Sequence, residues 1–271
     1  MQTPQNPFKR ALKEGRQQYG FWLGLANPVS AEICGHCGYD WLLIDAEHAP
    51  NDMHTIQMQL LAIGNTPSHP VLRIVEGNTA LIKQVLDMGA QSLLVPMVDT
   101  AEQAKSVVSA VRYPPNGVRG VGTALSRGAR WNIAENYLQL ADQEICVLIQ
   151  VESVKALENL DEILAVEGID GVFVGPADLA ATMGHLGNPG HPDVVSAVKG
   201  AIATIRAAGI APGILVTSKA LAKTYEQQGA QFIALGVDTV ALANSAKSIL
   251  ANHLNEESPD ADSQPQGNGA Y

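Results

Sequence analysis

The sequence predicts a (β/α)8 barrel, and two observations support this prediction. Eight short apolar segments rich in β-branched residues recur along the 271-residue chain, and stretches with helical periodicity separate them. Eight such units have about the size of a closed barrel of parallel strands, typically 250 residues. The main alternative is an open doubly wound sheet. The sequence ANPVSAE after the first segment lacks the glycine-rich phosphate turn that usually follows the first strand of such a sheet.

The predicted elements follow one another in order. The eight strands are predicted at 19–25, 39–46, 69–75, 92–98, 145–152, 169–175, 211–217 and 231–237. Helices are predicted between them, clearest at 79–89, 100–113, 154–168, 192–209 and 218–229. Several begin near Ser, Thr or Asp and end on glycine, which is capping chemistry at both ends. The segment before Gly20 predicts a short helix that closes the bottom of the barrel.

Two regions fall outside this alternation. Residues 1–254 are predicted to form the barrel domain, and the polar, proline-containing residues 255–271 to form a disordered tail. Residues 113–143 are too long for a simple connection and carry Arg119, Arg127 and Arg130. We expect them to form a lid or a substrate wall at the catalytic end of the barrel.

The composition predicts a cytoplasmic protein. A formal net charge of −10 argues against sequence-independent nucleic-acid binding and against a polybasic membrane anchor. The sequence contains neither an apolar run near the roughly 20 residues of a membrane span nor a secretory signal in its polar N-terminus. Three cysteines indicate a reducing compartment. The CGHC sequence at 34–37 ends a predicted helix, where the helix dipole disfavours a reactive thiolate, so we interpret it as packing.

Polar side chains follow several of the predicted strands. The active site of a parallel barrel is built at the carboxyl ends of its strands, so these residues are site candidates. They are Asp45, Glu47, His48, Arg73, Gln150, Glu152, Asp178, Thr217 and Asp238. Any one of them could serve as a helix cap. Their convergence from several strands indicates a site.

Glu152 and Asp178 follow neighbouring strands and are candidate metal ligands. Two carboxylates, with water and substrate oxygens, suit a hard divalent ion. The chain has neither an HExxH motif nor a set of thiolates, which favours Mg²⁺ or Mn²⁺ over structural zinc. The alternative is a structural ion pair between Glu152 and an arginine.

His48 and Arg73 are candidate catalytic groups. His48 has Asp45 three residues before it, and a carboxylate beside an imidazole raises its basicity. Arg73 lies on an apolar strand, where a guanidinium needs an anionic partner such as a carboxylate or an enolate. Asp87 is by position a residue of a helix surface. The lysines fall in predicted helices, which argues against a Schiff-base mechanism and leaves a metal as the electron sink.

The motifs WLLIDAEHAP, RYPPNGVRGVG, ARW, LIQVES and VEGIDGVFVGPADLA together resemble the HpcH/HpaI aldolase family. The resemblance covers about residues 6–254, and Ala46 departs from the glycine of the family pattern IDGEH. It implies a class II aldolase that reversibly cleaves 4-hydroxy-2-oxo acids, of the 4-hydroxy-2-oxoheptanedioate type found in aromatic catabolism, to pyruvate and an aldehyde. The alternatives are a 2-keto-3-deoxy-sugar-acid (rhamnonate or glucarate) aldolase, an acyl-CoA lyase-type enzyme and a non-catalytic scaffold.

The resemblance also implies roles for individual residues. The metal ligands are Glu152 and Asp178, with Mg²⁺, Mn²⁺ or Co²⁺ as the ion and with neither PLP nor a nucleotide as cofactor. The other implied roles are general acid/base for His48, enolate stabilisation for Arg73, support of the histidine for Asp87, and substrate contact for Gln150, the backbone of Ala177 and Asp178. Asp45 fits a pairing with the histidine by its proximity in the sequence. The family implies a homo-hexamer, a dimer of trimers, whose last helix is exchanged between protomers.

Overall fold

The computed structural model describes residues 1–256, in which eight parallel strands form a closed barrel in sequence order. The strands are β1 (Gln18–Leu23), β2 (Trp41–Asp45), β3 (His69–Arg73), β4 (Ser92–Val95), β5 (Cys146–Val151), β6 (Gly171–Val174), β7 (Ala211–Leu215) and β8 (Phe232–Val237). Each strand pairs with the next, and β8 pairs with β1 to complete the closure. All eight predicted strands are present, and the predicted barrel is confirmed.

Helices surround the barrel. They are α1 (Pro7–Lys13), α2 (Pro28–Gly35), α3 (Met53–Ile63), α4 (Thr79–Asp87), α5 (Ala101–Val111), α6 (Tyr137–Glu144), α7 (Val154–Glu158), α8 (Leu160–Leu164), α9 (Pro176–Thr182), α10 (Pro192–Ala207), α11 (Lys219–Gln227) and α12 (Asp238–Glu256). The single helix predicted over 154–168 is interrupted at Asn159. The Asn159 side chain donates a hydrogen bond of 2.8 Å to the carbonyl of Asp99 at this break.

Large aromatic side chains fill the lower half of the barrel. Phe8 of α1 packs against Trp41 and Phe232, at ring-centroid distances of 5.8 and 5.9 Å. It also stacks on the buried ring of His69 at 5.9 Å. These three partners lie at or near the amino ends of β2, β8 and β3, so α1 closes the bottom of the barrel as the sequence predicts. A second layer of aliphatic residues packs the outer faces of the strands against the helices.

The predicted lid over 113–143 is wrong for the single protomer. Most of this region connects α5 to β5, and helix-to-strand connections lie at the amino ends of the strands, opposite the catalytic end. Its contacts agree with this position. Glu135 accepts a 2.7 Å hydrogen bond at its carbonyl from the Thr3 hydroxyl, and its N–H donates to the Met1 carbonyl at 2.9 Å. The region packs against the N-terminal segment at the bottom of the barrel.

The last helix, α12, is exposed beyond its first residue, Asp238, which is buried against the loop after β1. From Thr239 to Leu254 every residue is exposed. Five apolar side chains of this helix are at least half exposed: Val240, Leu242, Ile249, Leu250 and Leu254. The predicted tail lies outside the described residues except for its first two positions, which end α12. Within residues 1–256, every helix is too short or too polar to traverse a bilayer.

Candidate active site

A cavity of about 600 Å³ opens at the carboxyl ends of the strands. Its lining includes six of the predicted site residues: His48, Arg73, Gln150, Ala177, Asp178 and Thr217. Another part of the wall is apolar and includes Trp22, Phe173, Leu215 and Leu221. A concave, largely apolar site with a few converging polar groups is typical of small-molecule binding.

Asp45 and Arg73 form a buried ion pair beside this cavity. They occupy paired positions on β2 and β3. The guanidinium donates to both carboxylate oxygens of Asp45, from Nε at 2.9 Å and from Nη2 at 2.6 Å. The Trp22 indole N–H donates to Asp45 at 3.1 Å, and its ring lies 5.0 Å below the guanidinium carbon. This two-pronged contact fixes the plane of the Arg73 guanidinium.

Glu47 is the second anionic partner of Arg73, with 2.8 Å between its Oε2 and Nη1. Burial raises the pKa of Glu47 despite the nearby guanidinium, and the charges of Asp45 and Asp178 raise it further. For Asp45, burial also opposes ionisation, but the hydrogen bonds and charge of Arg73 outweigh it and lower its pKa. Arg73 therefore lowers the pKa of Asp45, whereas burial outweighs its effect on the pKa of Glu47.

The predicted pairing between the Asp45 carboxylate and the His48 ring is not formed. Asp45 binds Arg73 instead and accepts a 3.3 Å hydrogen bond from the backbone N–H of His48. A buried guanidinium needs a charged acceptor more than a solvated imidazole does, which accounts for the difference. The ring of His48 is two-thirds exposed and its Nε2 lies 3.8 Å from Glu47. His48 thus faces the cavity with its ring free to move a proton.

Glu152 is the most deeply buried carboxylate at the cavity. It follows β5 and is 2% exposed. Its Oε1 accepts a 2.9 Å hydrogen bond from the N–H of Met97, whose φ of +54° is in the left-handed region. Its Oε2 accepts a hydrogen bond from the Gln150 amide. Burial raises the pKa of Glu152 to about 7, and the charges of Asp178 and Glu47 contribute.

Asp178 lies in the first turn of α9, beside the end of β6. The preceding Gly175 gives Glu152 its space, since a Cβ at this position would stand 2.5 Å from the Oε2 of Glu152. The mutual repulsion of Glu47, Glu152 and Asp178 shows that negative charge converges here. The Oε1 of Gln150 is also buried and has no hydrogen-bond partner among residues 1–256. This set of oxygen donors fits a hard divalent cation, which would neutralise the converging charges.

Comparison with known proteins identifies the family. The sequence profile of the HpcH/HpaI aldolase/citrate lyase family matches residues 18–245. The chain belongs to the HpcH/HpaI family. The resemblance seen in the sequence is thereby confirmed over nearly all of the barrel.

Three HpcH/HpaI relatives illustrate the likeness. The chain is 56% identical to a hydroxypyruvate/pyruvate aldolase of Pseudomonas aeruginosa, over 92% of this chain and 93% of that protein. It is 56% identical to a 4-hydroxy-2-oxo-heptane-1,7-dioate aldolase of Salmonella typhimurium, over 91% and 94% of the two chains. A crystal structure of a family protein from Burkholderia cenocepacia superposes with a TM-score of 0.88 at 38% identity, over 91% and 98%. The chain is a carbon–carbon lyase of the aldolase type, as predicted.

Asp87 and Asp238, two other candidates, lie away from the catalytic groups of this HpcH/HpaI barrel. Asp87 ends α4 at the bottom of the barrel, where it accepts a 3.2 Å hydrogen bond from Arg119. Within one protomer it therefore contacts this arginine and not His48. Asp238 accepts hydrogen bonds from the N–H groups of Gly24 and Leu25, at 2.7 and 3.2 Å. It serves as a structural link between β8 and the loop after β1.

Sequence reasoning missed several residues that shape the HpcH/HpaI site. Trp22 faces Arg73 from inside β1, and Met97 aims its N–H at Glu152. Pro189 and Gly190, on the loop between α9 and α10, line the cavity. Of these, only Trp22 carried a usable signal, as an aromatic residue near a strand end. The left-handed conformation of a methionine and the fold-back of a loop have no signature in sequence alone.

Proposed function

We propose that this chain is a divalent-metal-dependent aldolase that cleaves 4-hydroxy-2-oxo acids to pyruvate and an aldehyde, and that it catalyses the reverse addition. The observation that carries the proposal is the convergence of Asp178, Arg73 and His48 at one cavity at the strand ends, with the buried Glu152 hydrogen-bonded to Gln150 of its wall. The 56% identity to aldolases with such names supports it. In the described part of the chain, the cavity wall contains no lysine, which fits a metal-dependent rather than a Schiff-base reaction.

Glu152 and Asp178 would hold the cation, with water and the substrate oxygens as its remaining ligands. A bound divalent ion would polarise the keto group of the substrate and stabilise the charge that develops on the pyruvate half. Gln150 fixes one oxygen of Glu152, and Met97 fixes the other. The carboxylate is therefore held in one orientation before any ligand arrives, which lowers the reorganisation needed on binding.

Arg73 would stabilise the pyruvate enolate. Its Nε and Nη2 are occupied by Asp45 and its Nη1 by Glu47, so its position is fixed and its positive charge lies at the cavity wall. A preorganised charge at the place where an oxyanion develops typically accelerates a reaction about 10²–10³-fold. Asp45 is a positioning residue in this scheme, since it acts on the substrate only through Arg73.

His48 would remove the proton of the C4 hydroxyl, through a water molecule, as the C3–C4 bond breaks and the aldehyde leaves. The remaining pyruvate enolate would then be protonated at C3 to give pyruvate. The exposed ring of His48 at the cavity wall suits proton removal because a general base must exchange protons with its surroundings. In the reverse direction the same ring returns the proton to the aldehyde oxygen. The Oε2 of Glu47 stands 3.8 Å from the Nε2 of this ring.

A second candidate substrate class is the 2-keto-3-deoxy sugar acids. A dicarboxylate substrate needs a second cation, but Arg73 is the one arginine or lysine among the residues that line the cavity of the described chain. Arg119, Arg127 and Arg130 were the candidates for this cation, and they lie in the region at the opposite end of the barrel. Thr217 and Ser218 bring hydroxyl groups to the wall, and these suit a polyhydroxylated aldehyde.

We further propose that α12 is exchanged between protomers in a hexamer, a dimer of trimers. Its exposed apolar residues leave it without a partner in its own barrel, and α2 exposes Val29 and Ile33 by 61% and 62%. The exposed apolar residues of α12 from a second protomer would cover these apolar residues of α2. Assembly also concerns Asp87. Within one protomer this residue pairs with Arg119, so the support of His48 that the family implies would have to come from Asp87 of another protomer. A cytoplasmic location and the absence of nucleic-acid and membrane partners stay predictions from composition.

The decisive test of the reaction is pyruvate release from a panel of 4-hydroxy-2-oxo acids. The panel contains dicarboxylates and 3-deoxy sugar acids, assayed after chelator treatment and after addition of Mg²⁺, Mn²⁺ or Co²⁺. We expect release that depends on the added ion, and the preferred aldehyde half will separate the two substrate classes. Full activity of chelator-treated enzyme would contradict the metal-dependent reaction. Absence of pyruvate from every substrate would contradict the aldolase proposal itself.

A further inference from the structure

A group of metal-ligating side chains lies outside the catalytic carboxylates, on the loop between α9 and α10 and in the first turn of α10. The Nε2 of His185 and the Nδ1 of His191 each stand 3.6 Å from the same Asp193 oxygen. Within residues 1–256, this is the one group of three such side chains whose ligand atoms all lie within 4.8 Å of one another. The two imidazole rings stack at 3.6 Å with an interplanar angle of 14°.

The loop backbone brings these rings together. The N–H of His185 donates to the carbonyl of Ala180 at 2.7 Å, which ends α9. Two successive turns then follow, with hydrogen bonds from Asn188 to His185 at 2.9 Å and from His191 to Asn188 at 3.1 Å. Gly184 and Gly187 take positive φ values of 84° and 77°, which favour glycine. The histidines are therefore placed by a folded segment and not by chance contact of mobile side chains.

The chemistry of the group is that of a borderline transition-metal site. Two imidazole nitrogens and one carboxylate oxygen are ligands that Zn²⁺ takes, with a fourth position left for water. Ligand atoms around a tetrahedral Zn²⁺ with bonds of 2.0–2.1 Å are about 3.3 Å apart. The observed 3.6 Å separations are close to this value. Mg²⁺ prefers oxygen ligands alone, so the group differs in selectivity from the carboxylates Glu152 and Asp178.

The group is accessible and adjoins the active-site cavity. The side chains of His185, His191 and Asp193 are 27%, 32% and 68% exposed, so an ion can reach them from solvent. Pro189 and Gly190, which directly precede His191, line the cavity. An ion held at both ends of the 185–193 segment would fix this part of the cavity wall.

We propose that His185, His191 and Asp193 form a second metal site, selective for Zn²⁺ or a similar transition-metal ion, which fixes the loop over the active-site cavity. One interaction competes with it. The Nδ1 of His191 accepts a 3.3 Å hydrogen bond from the N–H of Asp193 and so caps α10. If His185 and His191 served only to stack and to cap α10, they would stabilise the loop without binding a metal. The experiment must distinguish this structural role from metal binding.

The test uses equilibrium dialysis to measure how many Zn²⁺ ions the chelator-treated full-length protein binds. The parent is the Glu152→Gln, Cys37→Ser variant, in which a catalytic carboxylate and the exposed thiol of the CGHC sequence no longer contribute. His185→Phe keeps a stacking ring but removes a ligand, and Asp193→Asn keeps the size of the side chain. His54→Phe, at an exposed histidine on α3, is the matched control. Circular dichroism verifies that each variant is folded.

We expect the parent and the His54→Phe control to bind one more Zn²⁺ per protomer than the His185→Phe and Asp193→Asn variants. Hydrogen exchange of the 183–191 amides should slow on addition of Zn²⁺ in the parent and not in His185→Phe. Equal Zn²⁺ stoichiometry in all variants would overturn the site. Zn²⁺ binding at this site without slower exchange would overturn its effect on the loop. Both readouts are independent of aldolase activity, so failure of the proposed reaction would leave them interpretable.

Discussion

Arg73 shows how one residue can serve both the fold and the reaction. Burial of a guanidinium is favourable only with anionic partners, and β2 supplies Asp45 at the paired position and Glu47 two residues later. The sequence could predict that Arg73 needs a partner at the strand ends. It could not predict that Asp45 would prefer Arg73 to the His48 ring, because this choice depends on side-chain geometry across two strands.

The Arg73→Ala variant should lose about 10²–10³-fold in kcat, because a fixed positive charge beside the developing enolate is removed. Arg73→Lys should fall between this variant and the wild type, since an ammonium cannot reproduce the two-pronged contact with Asp45. Steady-state pyruvate release measures both variants, and circular dichroism controls for folding. Wild-type kcat in a folded Arg73→Ala variant would remove Arg73 from the mechanism.

His69 makes the free energy of unfolding sensitive to acid. Burial lowers its pKa to about 4, whereas an unfolded histidine titrates near 6.5. Between these two values the unfolded state binds a proton that the folded state does not, so stability falls as the pH drops below about 6.5. By linkage, the loss between pH 7 and pH 5 from this group is about 2 kcal/mol.

The His69→Gln variant should therefore lose about 2 kcal/mol less than the wild type when the pH falls from 7 to 5. It should be less stable at pH 7, because the ring no longer stacks on Phe8 or contacts the Ser92 hydroxyl at 2.9 Å. Urea unfolding at the two pH values measures the difference, with the exposed His54→Gln as control. Equal losses in His69→Gln and wild type would show that His69 does not govern the acid response.

At the scale of elements, the sequence predicts the order of strands and helices, but it predicts only in part where the connecting segments lie and what they do. Apolar runs that alternate with capped helical stretches indicate eight β/α units, and all eight strands are present. The 113–143 region shows where the inference failed. Its length suggested a lid, but its place between α5 and β5 puts most of it at the bottom of the barrel. The position of this region between a predicted helix and a predicted strand indicates its location better than its length does.

A glycine in β7 makes room for the aromatic core. A Cβ at Gly213 would stand 2.1 Å from the ring of Phe232, its partner in the register of β7 and β8. We expect Gly213→Ala to lower the free energy of unfolding by about 1–3 kcal/mol through overpacking. Gly200→Ala is the matched control, since no atom of the described chain lies within 4 Å of a Cβ there, apart from the neighbouring helix backbone. Because alanine favours a helix more than glycine does, Gly200→Ala in the exposed interior of α10 should raise the free energy of unfolding by about 1 kcal/mol. Urea unfolding that ranks the two alanine variants in the opposite order would contradict this packing account.

A charge substitution on the exposed apolar face of α12 tests whether this helix packs on a second protomer. Ile249 and Leu250 are 69% and 60% exposed. If α12 packs on a second protomer, Ile249→Asp should bury an unpaired charge and shift the protein from hexamer to smaller species. Lys247→Glu, on the same helix, should leave the assembly intact because a lysine is rarely buried at an interface core. Light scattering coupled to gel filtration gives the masses, and a hexameric Ile249→Asp variant would contradict the exchange of α12.

At the scale of the whole molecule, the barrel explains why residues far apart in sequence meet at one site. Parallel closure brings the carboxyl ends of all eight strands together, so Arg73, Gln150 and Asp178 line one cavity although about 100 residues separate the first from the last. The sequence could therefore identify these groups from their strand-end positions alone. It could not predict the contact of Asp87 with Arg119, because this contact joins the end of α4 to a distant irregular segment and has no periodic signature.

The most direct test of the central claim is Mn²⁺ binding to chelator-treated protein, followed by electron paramagnetic resonance. Mn²⁺ prefers oxygen ligands, so it reports on Glu152 and Asp178 and not on the histidine group. We predict one tightly bound Mn²⁺ per protomer in the wild type. In Glu152→Gln and Asp178→Asn we predict a loss of affinity beyond the ~10–100-fold that removal of an outer-shell partner typically costs. Unchanged Mn²⁺ affinity in these two variants would contradict a metal centre at the ends of β5 and β6.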